Sequence, residues 1–297
     1  MATTRSAAPT LRVNLAEYGV TQALRDKRVM SDIIDLDYCG PTRAHDGFKA
    51  MVRENAFDAG ELAIVTFLQA KAYGKPYVLL PTPISGRFQH HCAGYNIDFG
   101  PLDPKDIEGM KVGVRTYTQT TALWIRGILR HEYRVDLDKV TWMTLGEGHL
   151  AEYRDPENCR RLPAGSNIAQ MMLAGQLSAA LLDEDMPMDP RVHTLVPDAH
   201  AAAKDWFSRE GVVPINHMFV VHQDLPKRRP DIVRELYRMI VESRALAENV
   251  PAEFPPIGLE ANRKGIQLAI DWALDQKIIP HRLSVDELFD DITATLG

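Results

Sequence analysis

Two rhythms of hydrophobic positions take turns along this chain: short runs that alternate or are wholly apolar, and longer runs with a helical period. Thr10-Leu-Arg-Val-Asn-Leu15 alternates as a strand, Thr21 to Asp26 reads as a helix, and Ile33-Ile-Asp-Leu-Asp-Tyr38 reads as a second strand. His45 to Glu54 and Leu62 to Tyr73 have helical spacing, with Phe57-Asp-Ala-Gly-Glu61 between them as a strand-to-helix switch. Tyr77-Val-Leu-Leu80 is a buried strand, Phe88 to Tyr95 another strand, and Asp103 to Gly109 a loop with one helical turn.

Beyond that loop the rhythms continue. Met110 to Val114 predicts a strand, and Leu123, Ile125, Ile128 and Leu129 give the following helix its packing face. Strands follow over Lys139–Leu145, Leu177–Leu182 and His193–Val196, with helices over Asn167–Gly175 and Ala199–Arg209. Gly146 to Gly165 is polar and rich in turn residues, so it reads as a loop. A β-rich run over Val212–His222 precedes helices near Asp231–Asn249, Glu260–Gln276 and Ser284–Leu296. Strands alternating with helices predict an open α/β sheet protein. The order fits two lobes: Met1–Val112 with Val213–Gly297, and an inserted Gly113–Val212, with a ligand cleft expected between them.

Composition narrows the class. With 297 residues, 45% hydrophobic and 25% charged, the chain has enough apolar surface to bury a sizeable core. A formal net charge of −6 with scattered basic residues speaks against a nucleic-acid partner. No apolar run approaches the ~18 residues of a membrane span, and the first residues lack the apolar core of a secretory signal. Cys39, Cys92 and Cys159 are far apart and odd in number, which suits reduced thiols. These features lead to the expectation of a cytoplasmic protein away from membranes, with helical surfaces that would allow a homo-oligomer. No P-loop, G-x-G-x-x-G or G-x-S-x-G motif occurs.

The candidate chemistry centres on Arg115 to Val135, where a strand feeds a helix through a loop rich in Thr and Gln. A helix start has spare N–H donors and a positive dipole end, a setting that favours a carboxylate. Thr120 and Thr121 would add hydroxyl donors there, and Arg126 lies further in; an ordinary helix cap with surface arginines is the competing reading. Arg87 and Arg126 are the candidate carboxylate clamps, since a guanidinium can grip a carboxylate through two parallel bonds. Glu61, at its strand-to-helix switch, is a candidate proton acceptor, or else a carboxylate satisfying a helix dipole.

Several blocks resemble the 4,5-dihydroxyphthalate decarboxylase family: Asn55 to Leu62, Phe88-Gln-His-His-Cys-Ala-Gly-Tyr-Asn96, Tyr117 to Val135, Gly211 to Met218, and Gly258-Leu-Glu-Ala-Asn-Arg-Lys264. The chain departs from the family pattern at Gln89, His91 and Cys92. The resemblance implies a type II periplasmic-binding-protein-like fold and loss of one carboxylate from a dihydroxylated phthalate, giving protocatechuate and CO2. Such a reaction needs an acid to protonate the ring carbon, a base for the ring hydroxyl and cations for the carboxylates, but no organic cofactor. His90, which matches the family's histidine, is the first candidate acid, and His217 on the returning strand is the second. Tyr117, Arg87, Arg126, Thr120 and Thr121 would bind the small aromatic carboxylate. No metal is assigned; a divalent ion held by Glu147 and His149 with His90 or His91 is the less favoured alternative, for want of compact ligand spacing. A solute-binding protein or ligand sensor for a small aromatic carboxylate, without catalysis, is the rival function.

Overall fold

The computed structural model describes residues 8–297; residues 1–7, included above in the search for a secretory signal, lie outside them. Contacts divide the chain into two compact units, one from Met1–Gly86, Ile215–Gln267 and Leu283–Gly297, the other from Arg87–Pro214 and Leu268–Arg282. The first crossing between units therefore falls at Gly86, not at Val112 as the hydrophobic pattern suggested, and residues 268–282 join the inserted unit. The strand after Gly86 explains the shift, because it pairs within the second sheet.

In the first unit the chain forms β1 (Thr10–Asn14), α1 (Gln22–Arg25), β2 (Asp35–Asp37), α2 (Phe48–Glu54), β3 (Ala59–Ala63), α3 (Ile64–Ala72) and β4 (Tyr77–Gly86). The second unit adds β5 (Ala93–Asn96), β6 (Lys111–Val114), α4 (Thr120–Tyr133), β7 (Thr141–Thr144), β8 (Cys159–Arg161), α5 (Ile168–Leu173), β9 (Ala179–Leu181), β10 (Val192–Thr194) and α6 (Ala199–Glu210). The chain then returns through β11 (Ile215–His222), α7 (Asp224–Arg228), α8 (Pro230–Ala245) and α9 (Leu259–Asp275).

The first sheet runs β2-β1-β3-β11-β4. β1 is parallel to β2 and β3, whereas β11 is antiparallel to both its neighbours. A core of Val13, Leu80, Phe219, Val221, Val233 and Leu236, among others, lies against it. The second sheet runs β10-β5-β9-β6-β7-β8, parallel from β9 to β8 and antiparallel at β5. Ile168, Met172, Leu177 and Ala180 form one of its packed clusters. Among the described residues no helix is long and apolar enough to cross a membrane.

β3 runs two residues past the expected strand-to-helix switch at Glu61, into the run that reads as helix. Ala59-Gly-Glu-Leu-Ala63 holds weak strand formers, and the sheet imposes the strand by pairing it on both sides. Gly60 has φ +155°, and a Cβ there would sit 2.3 Å from the Asn14 carbonyl oxygen, so only glycine lets β1 and β3 close together. β8 interrupts the expected Gly146–Gly165 loop, and the expected last helix over Ser284–Leu296 reduces to 3₁₀ turns at Asp286–Leu288 and Thr293–Thr295.

Candidate active site

Glu61 and His217 meet across the β3–β11 ladder. Their strands run antiparallel, with Phe219 opposite Glu61 and Ala63 opposite His217. The two side chains thus start a residue pair apart and lean together until His217 Nδ1 lies 2.5 Å from Glu61 Oε2. β11 also carries irregular register against β4 around His217, a local break of the kind that re-aims a side chain.

The Glu61 carboxylate is fully buried yet well supplied with donors. The Ala16 backbone N–H donates to Oε1 at 2.8 Å and the Tyr18 hydroxyl to Oε2 at 3.2 Å, besides the imidazole. A carboxylate acceptor defines the Nδ1–H side of the ring, which leaves Nε2 as the reactive nitrogen. The His217 side chain is 18% exposed and rests edge-on against Phe48, with ring centroids 5.4 Å apart. A buried carboxylate bonded to a partly open imidazole can fix the ring and stabilise an imidazolium, which is the arrangement that acid–base chemistry requires. The Glu61 reading as a plain helix-start carboxylate does not hold, because Glu61 sits inside β3, three residues before α3 begins.

His90 has the opposite surroundings. It lies in a 3₁₀ turn over His90–Cys92, not on the expected strand, and is 1% exposed. Its ring packs edge-on against Phe88 and Trp206, and neither ring nitrogen has a hydrogen-bond partner. Burial pushes its pKa down to about 4, against an opposing pull from Glu132. Burial in an apolar cage favours the neutral imidazole and so works against the proton-donor role expected of His90, whereas His217, the second candidate, has a carboxylate partner and a partly open ring.

The expected binding residues are placed as follows. α4 begins at Thr120 after Gln119, whose side chain makes no capping bond, and Thr120 and Thr121 are buried in its first turn. Arg126 is fully buried, not displayed as a clamp. Its Nε donates to Gln276 Oε1 at 2.8 Å and its Nη2 to the Tyr117 carbonyl at 2.6 Å, while its guanidinium lies 3.8 Å from the Tyr117 ring centroid. Tyr117 is buried with it and donates its hydroxyl to the Gln276 carbonyl. Arg126 and Tyr117 thus brace α4 against residue 276. Arg87 is partly exposed and pairs with Asp183. Glu147 and His149 do not join His90 or His91 in any metal-binding group; among the described residues the side chains with ligand spacing are His91, Cys92 and Asp183. Burial, and secondarily Asp183, pushes the Cys92 thiol up to about 12.

With two α/β sheets and this strand order, the chain has a periplasmic-binding-protein-like fold. It matches the alkanesulfonate-binding protein SsuA from Xanthomonas axonopodis pv. citri, bound to MOPS, with a TM-score of 0.59 at 12% identity, over 96% of this chain and 99% of that one. In sequence the chain is similar to 4,5-dihydroxyphthalate decarboxylase from Comamonas testosteroni, 25% identical over 255 residues, covering 80% of this chain and 75% of that protein. It is also 25% identical over 209 residues to the Pseudomonas putida protein of the same name, covering 66% of this chain and 81% of that one. No family profile matches the chain.

Proposed function

We propose that this chain is a non-oxidative carboxy-lyase of a hydroxylated aromatic acid, 4,5-dihydroxyphthalate in the first place, with His217 as its proton carrier. The observation that carries the reading is the Glu61–His217 dyad, joined at 2.5 Å with the imidazole partly open. Similarity to two decarboxylases supplies the reaction class.

The chemistry follows from the needs of an electron-rich ring. The hydroxyl para to the leaving carboxylate pushes electron density to the carbon that bears it. Imidazolium at His217 delivers its Nε2 proton to that carbon, breaking the aromatic system. The C–C bond to the carboxylate then breaks, its electron pair restores the ring, and CO2 leaves. Imidazole recovers a proton from solvent, so one carboxylate and one proton become one ring C–H and one CO2. Glu61 holds the ring orientation and offsets the imidazolium charge throughout.

The test is to incubate the purified protein with 4,5-dihydroxyphthalate and a panel of hydroxybenzoates, and to read CO2 and product by mass spectrometry. His217→Gln should lower kcat by roughly 10²–10⁴, the usual contribution of a positioned acid or base. Turnover at the wild-type rate in that variant would remove His217 from the mechanism. Saturable binding of these acids with no CO2 from any of them would favour the ligand-sensor reading.

A further inference from the structure

His91, Cys92 and Asp183 lie together in the second unit and take no part in the chemistry assigned to Glu61 and His217. We propose that His91 Nε2, Cys92 Sγ and Asp183 Oδ1 form a site for a thiophilic divalent cation, zinc before others, with its fourth position open to water.

The spacing supports this. Zinc bound at about 2.3 Å to sulfur and about 2.0–2.1 Å to nitrogen or oxygen makes tetrahedral sulfur-to-nitrogen edges of about 3.6 Å. Here Cys92 Sγ lies 3.5 Å from His91 Nε2 and 3.9 Å from Asp183 Oδ1. The remaining edge, between His91 and Asp183, is within 4.8 Å.

The ligands also stand on a rigid frame. Ala93 pairs with Leu181 in the β5–β9 ladder, and the Leu182 N–H donates to the Cys92 carbonyl at 2.8 Å. Residues 91–92 and 183 are therefore held side by side by backbone bonds, although 91 positions separate Cys92 from Asp183 in sequence. Arg87 binds Asp183 through Oδ2, which leaves Oδ1, 3.9 Å from the sulfur, for the cation. A guanidinium on the outer oxygen orients the carboxylate in the way that hydrogen-bonded partners orient metal ligands.

The donor set makes the choice of ion. One thiolate, one imidazole and one carboxylate suit zinc and disfavour magnesium and calcium, which take all-oxygen shells. On binding, the thiol proton leaves to solvent and the sulfur bonds the metal as thiolate. His91 is exposed and borders a cavity of about 350 Å³, also lined by Met186, Met188 and His193, which provides an entry path and room for the water ligand.

The experiment uses the full-length, reduced, chelator-treated protein. Zinc titrated against a chromophoric chelator should bind at one equivalent per chain. Cobalt(II) should give the strong visible bands of a four-coordinate ion and a thiolate-to-cobalt band in the near ultraviolet. Cys92→Ser should abolish the ultraviolet band and weaken zinc at least about 100-fold, because losing even a residue that only orients a ligand costs roughly 10–100-fold. His91→Ala, at an exposed position that folding tolerates, should weaken zinc by at least about 10-fold, and Cys39→Ser should change nothing. The proposal fails if no one-to-one binding is seen. It fails equally if the cobalt band survives Cys92→Ser, or if His91→Ala binds zinc as the wild type does.

Discussion

At the scale of single residues, two histidines show how surroundings decide chemistry. Glu61 and His217 should act as a unit, so their losses should not add. Glu61→Gln keeps the shape but offers no full negative charge to the imidazolium, and it should cost kcat roughly 10–10³. The double variant with His217→Gln should be little worse than His217→Gln alone, measured as kcat at saturating substrate. His90 leads to a prediction about stability instead. Its folded pKa, about 4, lies below its ordinary 6.5, so the unfolded chain takes up more protons between those values. Stability is then full above pH 6.5 and falls as the pH drops toward 4, by up to roughly 3 kcal/mol at 1.36 kcal/mol per pKa unit. His90→Leu should flatten that fall in urea unfolding measured from pH 7.5 to 4.5, and an unchanged slope would contradict this origin. Glu61 and His217 could each be singled out in the sequence, Glu61 at its strand-to-helix switch and His217 on the returning strand. Their pairing could not, since 156 positions separate them and only the β3–β11 register brings them together. His90 and Arg126 look like reactive groups for the converse reason: nothing local shows that Trp206 and Gln276, far along the chain, close over them.

Among the elements, α4 shows a similar division. Its helical period and its start at Thr120 were legible from Leu123, Ile125, Ile128 and Leu129. Its depth was not, because every residue from Thr120 to Leu129 is buried, including the polar ones that suggested a surface face. Gly127 is the residue that permits this packing. A Cβ there would fall 1.9 Å from the Trp272 ring, whose centroid lies 5.4 Å from that of Trp124. At an open helical position Gly→Ala gains about 1 kcal/mol of helix propensity. Here the methyl must displace a packed indole, and overpacking costs typically about 1–3 kcal/mol or more. Gly127→Ala should therefore lower the urea midpoint, whereas in a Trp272→Leu background it should be neutral or stabilising. A midpoint raised by Gly127→Ala alone would show that the ring moves at no cost. The extent of β3 beyond its expected switch at Glu61 was not legible for another reason: Ala, Gly and Glu carry no strand preference, and hydrogen bonds from β1 and β11 override that composition.

For the whole molecule, the alternation of strands and helices was enough to predict an open α/β sheet protein, because local period and sheet layering agree along most of the chain. The periplasmic-binding-protein-like type was implied by the family resemblance and not by the period. The route of the chain between its units was harder to read, since the division depends on which distant segment completes each core. The inserted unit makes this concrete. Residues 268–282 supply Trp272, which packs edge-on to Trp124 and stacks on His131 at 5.3 Å. They also supply Gln276, which accepts from Arg126 Nε and donates to the Leu123 carbonyl at 3.0 Å. Without this segment, a fully buried guanidinium would lose one of its two acceptors, keeping the Tyr117 carbonyl, at a cost of about 1–3 kcal/mol or more for a charged group, and the tryptophan cluster would lose a wall. Residues 87–214 expressed alone should thus lack a cooperative thermal transition and a near-ultraviolet circular dichroism signal. The same residues joined to 268–282 through a flexible Gly/Ser linker of about 20 residues should recover both. Cooperative melting of 87–214 alone would show that this unit closes its core without the returning helix, and would place the bracing of Arg126 outside its folding energetics.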